Sequence, residues 1–395
     1  MKKLFTFLAL ISVLACSERE PQEIYQGKLE ELIVGDFPLI KDSLTGGFYS
    51  LRVVKEGDSE FILYTKSASK FKGWAFVFAS TQTGKEVRRV EIPREGPNSM
   101  NGGFSALSLN SMDSLYLVNL KGDVGFYNSD GQRLQLIESE MNLPFSVNNM
   151  VRVEGRNGLS LVTESFVQFG QDPSSIMNVA GSVPGPGEME VSFPLEFKTW
   201  LTRINLKTGV YEQSDLSIPT NYGPFGRDMS ASKLGGAYDS SRQFFYLMWP
   251  YSNEIYQLSG LDLERKFEPE SRTEFTYIPS DRIPVGTNYT AWVLPKEASF
   301  NIFLLYDSSK DLILKCTKIN ESGVGETKFE RTKHYVLSIY SGDWDPLGEY
   351  FFDFENELEL ENWFLTSEGL FINKPEQKSE DEYEFYKIDL SRFGD

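Results

Sequence analysis

The stretch that decides the fold is LYLVNLKGDVGFYNSDGQRLQL, residues 115–136, and FYLMWPYSNEIYQLSGLDL, residues 245–263, repeats it in outline. Each stretch has an apolar pair, a variable loop, an aromatic strand, a glycine turn and a further apolar strand. Short runs of Phe, Tyr, Val, Ile and Leu that are broken by Gly, Asn, Asp and Pro are typical of β-hairpins. Apart from residues 28–33, no helical period follows the N-terminus, so the chain is predicted to be all-β.

Similar glycine turns recur along the chain. They lie at positions 84, 131, 209, 260 and 348 and are separated by 47, 78, 51 and 88 residues. A four-stranded propeller blade takes about 40–50 residues, and insertions within two units explain the two longer gaps. The sequences Ile92-Pro93, Ile218-Pro219 and Ile283-Pro284 are predicted to end strands, because proline cannot donate a hydrogen bond to a neighbouring strand.

The last unit sets the blade count and the closure of the ring. It runs from Trp363 to Leu390 and contains three strands, so its sheet lacks a fourth. Propellers remove such an open edge by taking the missing strand from the other terminus, and residues 29–40 are predicted to supply it. The sequence therefore predicts an all-β fold in which residues 29–395 form a single six-bladed β-propeller, with seven blades as the alternative.

The N-terminus has the features of a secretory signal. Lys2 and Lys3 precede an uncharged run, Leu4 to Ala15, which would span only about 18 Å as a helix. That length is too short for the ~30 Å hydrocarbon core of a bilayer and is typical of the apolar region of a signal peptide. The run ends in Val13-Leu14-Ala15-Cys16, which resembles a bacterial lipobox.

The lipobox resemblance implies that residues 1–15 are a signal peptide and that Cys16 becomes the lipid-bearing N-terminus. Two or more acyl chains, palmitate among them, hold a protein stably at a membrane. Residues 16–28 then form an acidic tether. In the lipoprotein sorting rules that this N-terminus resembles, Ser rather than Asp after Cys16 and an acidic tether favour an outer-membrane address, on either the periplasmic or the surface-exposed face. A solvated tether whose charges carry no address is the alternative. An ordinary signal peptide with a coincidental cysteine is the alternative.

Composition excludes several function classes. The chain has 39 Lys and Arg against 57 Asp and Glu, a net charge of −18, whereas nucleic-acid binding needs a clustered basic surface. One His and two Cys predict no metal site, no cofactor and, once Cys16 is lipidated, no internal disulfide. Cys316 alternates with Leu312 and Leu314 and is predicted to be a buried thiol. His334 is predicted to have a structural or surface role rather than a catalytic one.

The sequence resembles the large group of secreted Gram-negative lipoproteins of unknown function that carry six-bladed propellers related to NHL and TolB-like repeats. The residues that carry the resemblance are the lipobox, Arg94-Glu95-Gly96-Pro97-Asn98 through Gly103, the turn from Asn128 to Gly131, and His334-Tyr335 before Leu337-Ser338-Ile339. The resemblance spans most of the mature chain and includes no catalytic motif. It therefore implies a fold and an envelope address, but no reaction.

Two inter-blade loops carry the candidate ligand residues. In a propeller, the loops that join an outer strand to the next inner strand gather around one mouth of the central channel. The candidate rim comprises Arg94, Glu95 and Asn98 from one loop, and Tyr222, Arg227 and Asp228 from another. Ionic and aromatic groups that converge suit a polar ligand such as a glycan or a peptide. The alternative is that Arg94 and Glu95 pair with each other and cap strands.

Two functions are compatible with this sequence. The first is a lipid-anchored binding or scaffold module for a glycan, a peptide or a protein partner, attached to the membrane through Cys16. The second is a propeller hydrolase or lyase that acts on glycans with paired carboxylates, which need no histidine. Because the sequence contains neither a sialidase-type box nor a metal-ligand cluster, it favours the binding module over an enzyme.

Replacing Cys16 by Ala tests the predicted anchor. The variant has no thiol to accept a diacylglyceryl group, so we expect unprocessed precursor or soluble protein instead of membrane-bound protein. Cell fractionation with metabolic palmitate labelling checks this, and Cys316→Ala is the control that keeps Cys16. A Cys16→Ala variant that still partitions with membranes after signal cleavage would contradict the lipoprotein prediction.

Overall fold

A computed structural model describes residues 23–41, 49–66, 73–100, 106–119, 121–139, 160–162, 165–170, 195–285, 289–323, 330–355 and 359–394. In chain order, the strands within these ranges are β1 (Gln26–Lys28), β2 (Ile33–Ile40), β3 (Tyr49–Glu56), β4 (Ser59–Lys66), β5 (Gly73–Ser80), β6 (Glu86–Pro93), β7 (Ala106–Ser111), β8 (Ser114–Val118), β9 (Val124–Tyr127), β10 (Arg133–Ile137), β11 (Ser160–Val162), β12 (Phe166–Gly170), β13 (Leu201–Asn205), β14 (Tyr211–Gln213), β15 (Gly235–Asp239), β16 (Phe244–Met248), β17 (Ile255–Ser259), β18 (Asp262–Phe267), β19 (Asp281–Val285), β20 (Tyr289–Val293), β21 (Phe300–Asp307), β22 (Leu312–Ser322), β23 (Thr332–Ser341), β24 (Pro346–Phe354), β25 (Trp363–Thr366), β26 (Gly369–Asn373) and β27 (Glu382–Ile388). Short 3₁₀ helices lie at Leu29–Glu31, Gly223–Arg227 and Met229–Ser232. Over these same ranges, no helix has the length and apolar character needed to cross a membrane.

The strands form six blades around a central axis, which confirms the predicted six-bladed propeller in the part of the chain that the structure describes. Blades 1 to 5 each comprise four consecutive antiparallel strands: β3–β6, β7–β10, β11–β14, β15–β18 and β21–β24. The first strand of each blade lies innermost, since β3 contacts β7, β7 contacts β11, β15 contacts β21, β21 contacts β25 and β25 contacts β3. The hairpin β19–β20 is a separate sheet between blades 4 and 5.

Blade 6 is completed by the N-terminal region, as the sequence predicts. It consists of β25–β27, with β2 paired antiparallel to β27 as its outer strand. Phe37 and Leu39 of β2 are buried, and the Phe37 ring lies 5.3 Å from the ring of Phe371. The strand thereby covers an edge that would otherwise be open to pairing with another chain. The Ile40 N–H also donates to the Gly84 carbonyl at 3.0 Å, so the same strand joins blade 6 to blade 1.

Residues 26–28 belong to the propeller and not, as predicted from the sequence, to the tether. They form β1, which pairs in parallel with β24 as a fifth strand of blade 5. Two interactions hold them there: the backbone edge of β24, and a hydrogen bond of 2.7 Å from Gln26 Nε2 to Glu349 Oε2. Residues 1–22, with the predicted signal peptide and Cys16, lie outside the described residues.

Four of the five predicted turn glycines lie between the third and fourth strands of blades 1 to 4. Their φ angles fall between +62° and +73°, a left-handed region that favours glycine, at Gly84, Gly131, Gly209 and Gly260. A methyl group on any of the first three would overlap a carbonyl oxygen of the preceding blade, which belongs to Pro38, Glu91 and Glu138 respectively. These glycines therefore set how closely adjacent blades pack.

The prediction of a turn at Gly348 is wrong, because this glycine lies inside β24. The chain turns instead at residues 342–345, where Trp344 has a φ of +71°. Packing compensates for this backbone conformation, since the Trp344 ring is buried and lies 5.0 Å from the ring of Phe267. Pro284 likewise lies inside β19 and does not end a blade.

Blade 5 has long strands, which account for part of the longest gap between turn glycines. Its β22 and β23 contain 11 and 10 residues. Cys316 on β22 is fully buried in the apolar cluster between blades 5 and 6, which confirms its predicted position. Burial raises the pKa of the Cys316 thiol well above its usual value, so the reactive thiolate is disfavoured.

Alanine substitutions at two glycines test the blade spacing. Gly57→Ala, in the turn between β3 and β4, also places alanine at a positive φ, but its methyl group meets open space among the described residues. We expect Gly57→Ala to lower the free energy of unfolding by about 1–2 kcal/mol. Gly84→Ala should cost clearly more, because its methyl group also displaces Pro38. Chemical denaturation measures both values, and equal losses would contradict the proposed role of Gly84 in blade packing.

Candidate functional site

The antiparallel order of each blade separates its connections onto two faces. Connections between the second and third strands, and between one blade and the next, leave one face, which we call the loop face. Hairpins between the first and second strands, and between the third and fourth, leave the opposite hairpin face. The connection after β6, with Arg94, and the connection after β14, with Tyr222, are both inter-blade connections. Both loops of the candidate rim therefore belong to the loop face.

The connection from blade 1 to blade 2 presents two exposed charged side chains. Arg94 and Glu95 are exposed, and the guanidinium of Arg94 lies over the Trp74 ring at 5.2 Å from its centroid. Asn98 is only partly exposed, and its Oδ1 accepts a hydrogen bond of 3.2 Å from the backbone N–H of Arg133 on β10. Asn98 thus fastens the loop to the outer strand of blade 2, while Arg94 and Glu95 reach solvent.

The connection from blade 3 to blade 4 uses its tyrosine internally. Tyr222 is 1% exposed, its hydroxyl donates to the Ala231 carbonyl at 2.8 Å, and its ring packs 5.3 Å from that of Trp249. Burial raises the pKa of Tyr222 well above its usual value, so the hydroxyl stays protonated. The side chain of Tyr222 therefore packs beneath the connection and stabilises it, and it is not exposed to solvent.

Asp228 is also buried, at 1% exposure, and fixes three parts of the chain. Its carboxylate accepts hydrogen bonds from the Ser230 N–H at 2.8 Å, the Tyr251 hydroxyl at 2.7 Å and the Ser280 N–H at 3.0 Å. The first of these bonds caps the 3₁₀ helix Met229–Ser232. Burial, and then the charge of Asp228, raise the pKa of Tyr251.

Of the six candidate rim residues, two have exposed side chains in the structure. These are Arg94 and Glu95, whereas Tyr222 and Asp228 lie beneath the surface. Arg227 ends the 3₁₀ helix Gly223–Arg227, but its side chain lies outside the described part of the structure. The rim as a ligand site stays a prediction, and it now depends chiefly on the first loop.

An irregular segment that the sequence did not reveal lies between blades 4 and 5. This segment, residues 268–280, follows β18 and is called the strap below. At one end, Ser271 and Thr273 donate side-chain hydrogen bonds of 2.6 and 2.7 Å to Glu349, which is 2% exposed. At the other end, Ser280 donates its backbone N–H to Asp228. The strap thereby connects the outer edge of blade 5 to the connection between blades 3 and 4.

A fully buried lysine lies beneath the strap. The ammonium of Lys315 donates to Asn253 Oδ1 at 2.6 Å and lies 4.4 Å from the centroid of the Phe275 ring. Burial lowers the pKa of Lys315 to about 7, and the charge of Glu349 opposes that shift. Burial also raises the pKa of Glu349, but the hydrogen bonds from Ser271, Thr273 and Gln26 outweigh it and leave this pKa below its usual value.

Within the described ranges, no group of three or more His, Cys, Asp and Glu side chains is arranged to hold a metal ion.

Solved β-propellers are similar to this chain in fold. A crystal structure of a DUF4221 family member from Bacteroides vulgatus has a TM-score of 0.61 and 13% identity, covering 90% of this chain and 97% of that chain. BamB from Moraxella catarrhalis has a TM-score of 0.34 and 9% identity, covering 86% and 84% of the two chains. YCF48 bound to D1 peptide has a TM-score of 0.38 and 10% identity, covering 87% and 78%. No protein-family model and no curated protein matches the sequence.

The first of these similarities shows the fold alone, because the identity is low. It supports the propeller part of the family resemblance, while the lipoprotein part stays a prediction. A propeller fold is compatible with a binding or scaffold role, but the fold does not specify which ligand is bound.

Replacing Lys315 by Met tests the buried charge through pH. The unfolded lysine keeps its usual pKa near 10.5, against about 7 in the fold, so the unfolded state binds more protons between these values. The free-energy cost of burying the charged lysine is therefore greatest below pH 7 and decreases as the pH rises. We therefore expect the unfolding free energy of the parent chain, relative to Lys315→Met, to increase from pH 6.5 to pH 9.5.

The matched control is Lys266→Met. Lys266 also contacts an aromatic ring, that of Tyr256 at 4.2 Å, but it is exposed. Urea denaturation at several pH values should give a constant difference for this control. A constant difference for Lys315→Met as well would contradict the assignment of a depressed lysine pKa.

Proposed function

We propose that this chain is an outer-membrane lipoprotein, anchored through lipid on Cys16, whose propeller is a binding or scaffold module for a polar polymer or a protein partner. The lipobox-like Val13-Leu14-Ala15-Cys16 supports the anchor, and the acidic tether after it supports the outer membrane. The propeller fold supports the binding role, because rigid strands hold the loops of one face in fixed positions.

The observation that carries the proposal is the exposed Arg94, whose guanidinium lies over the Trp74 ring on a loop that hydrogen bonds hold in place. A guanidinium in a cation–π contact still has N–H groups for paired hydrogen bonds to a carboxylate or to hydroxyl groups. The hydrogen bond between Asn98 and the Arg133 backbone, together with a bond of 2.7 Å from Arg133 Nη1 to the Ser99 carbonyl, holds the loop in place. A preorganised loop loses less conformational entropy when a ligand binds.

The charge of the chain narrows the class of ligand. A net charge of −18 repels polyanions at long range. Neutral glycans and basic peptides are not repelled, and Arg94 can bind the hydroxyls of the first or the carbonyls and C-terminal carboxylate of the second. We therefore place these two classes ahead of nucleic acids and other polyanions.

Loss of the Arg94 guanidinium tests the proposed site. In a screen of cell-wall, host and dietary polymers and of peptides, we expect Arg94→Ala to weaken the hits by roughly 10- to 100-fold, as expected for a lost charge-assisted contact. Arg227→Ala, alone and combined with Arg94→Ala, tests the second loop. Isothermal titration or biolayer interferometry with the soluble chain gives the affinities.

Arg88→Ala is the matched control. Arg88 lies on β6, the strand that leads into the Arg94 loop, but it pairs with Asp113 at 3.3 Å on the hairpin face. It should leave the affinities unchanged. Hits that are indifferent to Arg94→Ala and Arg227→Ala, or that respond equally to Arg88→Ala, would refute a ligand site on the loop face.

A further inference from the structure

The only histidine of the chain joins a serine and an aspartate in one hydrogen-bonded line on blade 5. His334 Nδ1 lies 2.7 Å from Asp353 Oδ1, and His334 Nε2 lies 2.7 Å from Ser322 Oγ. His334 pairs directly with Asp353 across β23 and β24, while Ser322 pairs with Thr332, two residues before His334. Because side chains two residues apart share one face of a sheet, all three groups lie on the same face.

The two contacts suit one arrangement of protons when Asp353 is ionised and the imidazole is neutral. An ionised carboxylate only accepts hydrogen bonds, so Nδ1 carries the proton that faces Asp353. In the neutral ring Nε2 is then the acceptor for the Ser322 hydroxyl. A nucleophile, a base that accepts its proton and an acid group that orients the base are the three roles required for nucleophilic catalysis by serine.

This arrangement differs from the local contacts that serine hydroxyls make with aspartates elsewhere in the described residues. Ser241, Ser309 and Ser391 each bond an aspartate two positions earlier in the chain, within a local turn. Ser322 is instead 31 positions from Asp353, and three paired strands bring the two together around the imidazole. Groups held by long paired strands keep their geometry better than groups held by loops.

The line of three residues is open to solvent and has a cation beside it. The side chains of His334 and Asp353 are 29% and 56% exposed, and Ser322 is exposed. Lys296 Nζ donates to the carbonyl of Gly323, the residue after Ser322, at 2.9 Å. The ammonium group therefore lies next to the backbone of the residue that follows Ser322.

We propose that Ser322, His334 and Asp353 hydrolyse carboxylic esters. Ser322 Oγ bonds to the ester carbonyl carbon while its proton passes to His334 Nε2. The carbon–oxygen bond to the alcohol then breaks, and the alcohol leaves with that proton. Water next attacks the acyl-serine and gives a proton to Nε2, which returns it to Ser322 Oγ as the carboxylic acid departs. Asp353 acts as a positioning residue, because it orients the imidazole.

The chain's reactivity towards a fluorophosphonate probe and p-nitrophenyl acetate tests this proposal. We expect mass spectrometry to find the probe on Ser322 in the parent chain and not in Ser322→Ala. His334→Gln should slow labelling and ester hydrolysis by about 100-fold or more, because general-base catalysis contributes at least that factor. Asp353→Asn should lower kcat with little change in KM, and Asp353→Glu should restore part of kcat.

Ser391→Ala is the matched control, since Ser391 is an exposed serine with an aspartate partner, Asp389, at 2.8 Å. It should react as the parent chain does, and thermal unfolding should show that every variant is folded. Labelling and ester hydrolysis are measured here, whereas the proposed polymer site is tested by binding affinity, so this proposal can fail independently of that site. If folded parent protein is labelled no faster than Ser322→Ala, or if ester hydrolysis survives in Ser322→Ala, the three residues form a structural contact only and the proposal is wrong.

Discussion

The rest of the structure depends on the pairing of the N-terminal segment with three blades. β1 adds to β24 of blade 5, β2 supplies the outer strand of blade 6, and Ile40 bonds to the Gly84 turn of blade 1. Between the two strands, Leu29 and Leu32 are buried in the cluster that blades 5 and 6 share. Within the described residues, hydrogen bonds and apolar packing join the N-terminal and C-terminal parts of the chain and close the ring.

The strap connects the N-terminal strand β1 to the loop face. Glu349 accepts hydrogen bonds both from Gln26 of β1 and from the strap at Ser271 and Thr273. The far end of the strap donates to Asp228, which caps the 3₁₀ helix of the connection between blades 3 and 4. Burying a polar group costs free energy unless the group is hydrogen-bonded. The hydrogen-bond partners of Glu349 and Asp228 come from distant parts of the sequence. The closing strands, the strap and the connection between blades 3 and 4 therefore belong to one connected set of interactions.

Local patterns predicted the hairpins, because a hairpin depends on residues close together in the chain. The repetition of these patterns predicted the blade count, and the missing fourth strand of the last unit predicted the closing strand. Gly348 misled the turn assignment, since the packing of Trp344 decides where that hairpin turns. The alternation of apolar and polar residues along β22 cannot show that Lys315 is buried, because the strap, which lies outside the sheet, covers this side chain. The contacts of His334 depend on strand register, which shifts at an irregularity in β22 near Asn320, and no motif in the sequence records that shift.

Native-state hydrogen exchange of the soluble chain tests most directly whether N-terminal closure holds the ring together. We predict that the paired amides of β2 and β27 exchange with the same opening free energy as those of β22 and β23, because losing the closing strand opens the ring. Addition of denaturant should lower these free energies in parallel. If β2 exchanged rapidly while the blades on both sides kept full protection, the closing strand would be an accessory to a ring that is stable without it, and the central claim would be contradicted.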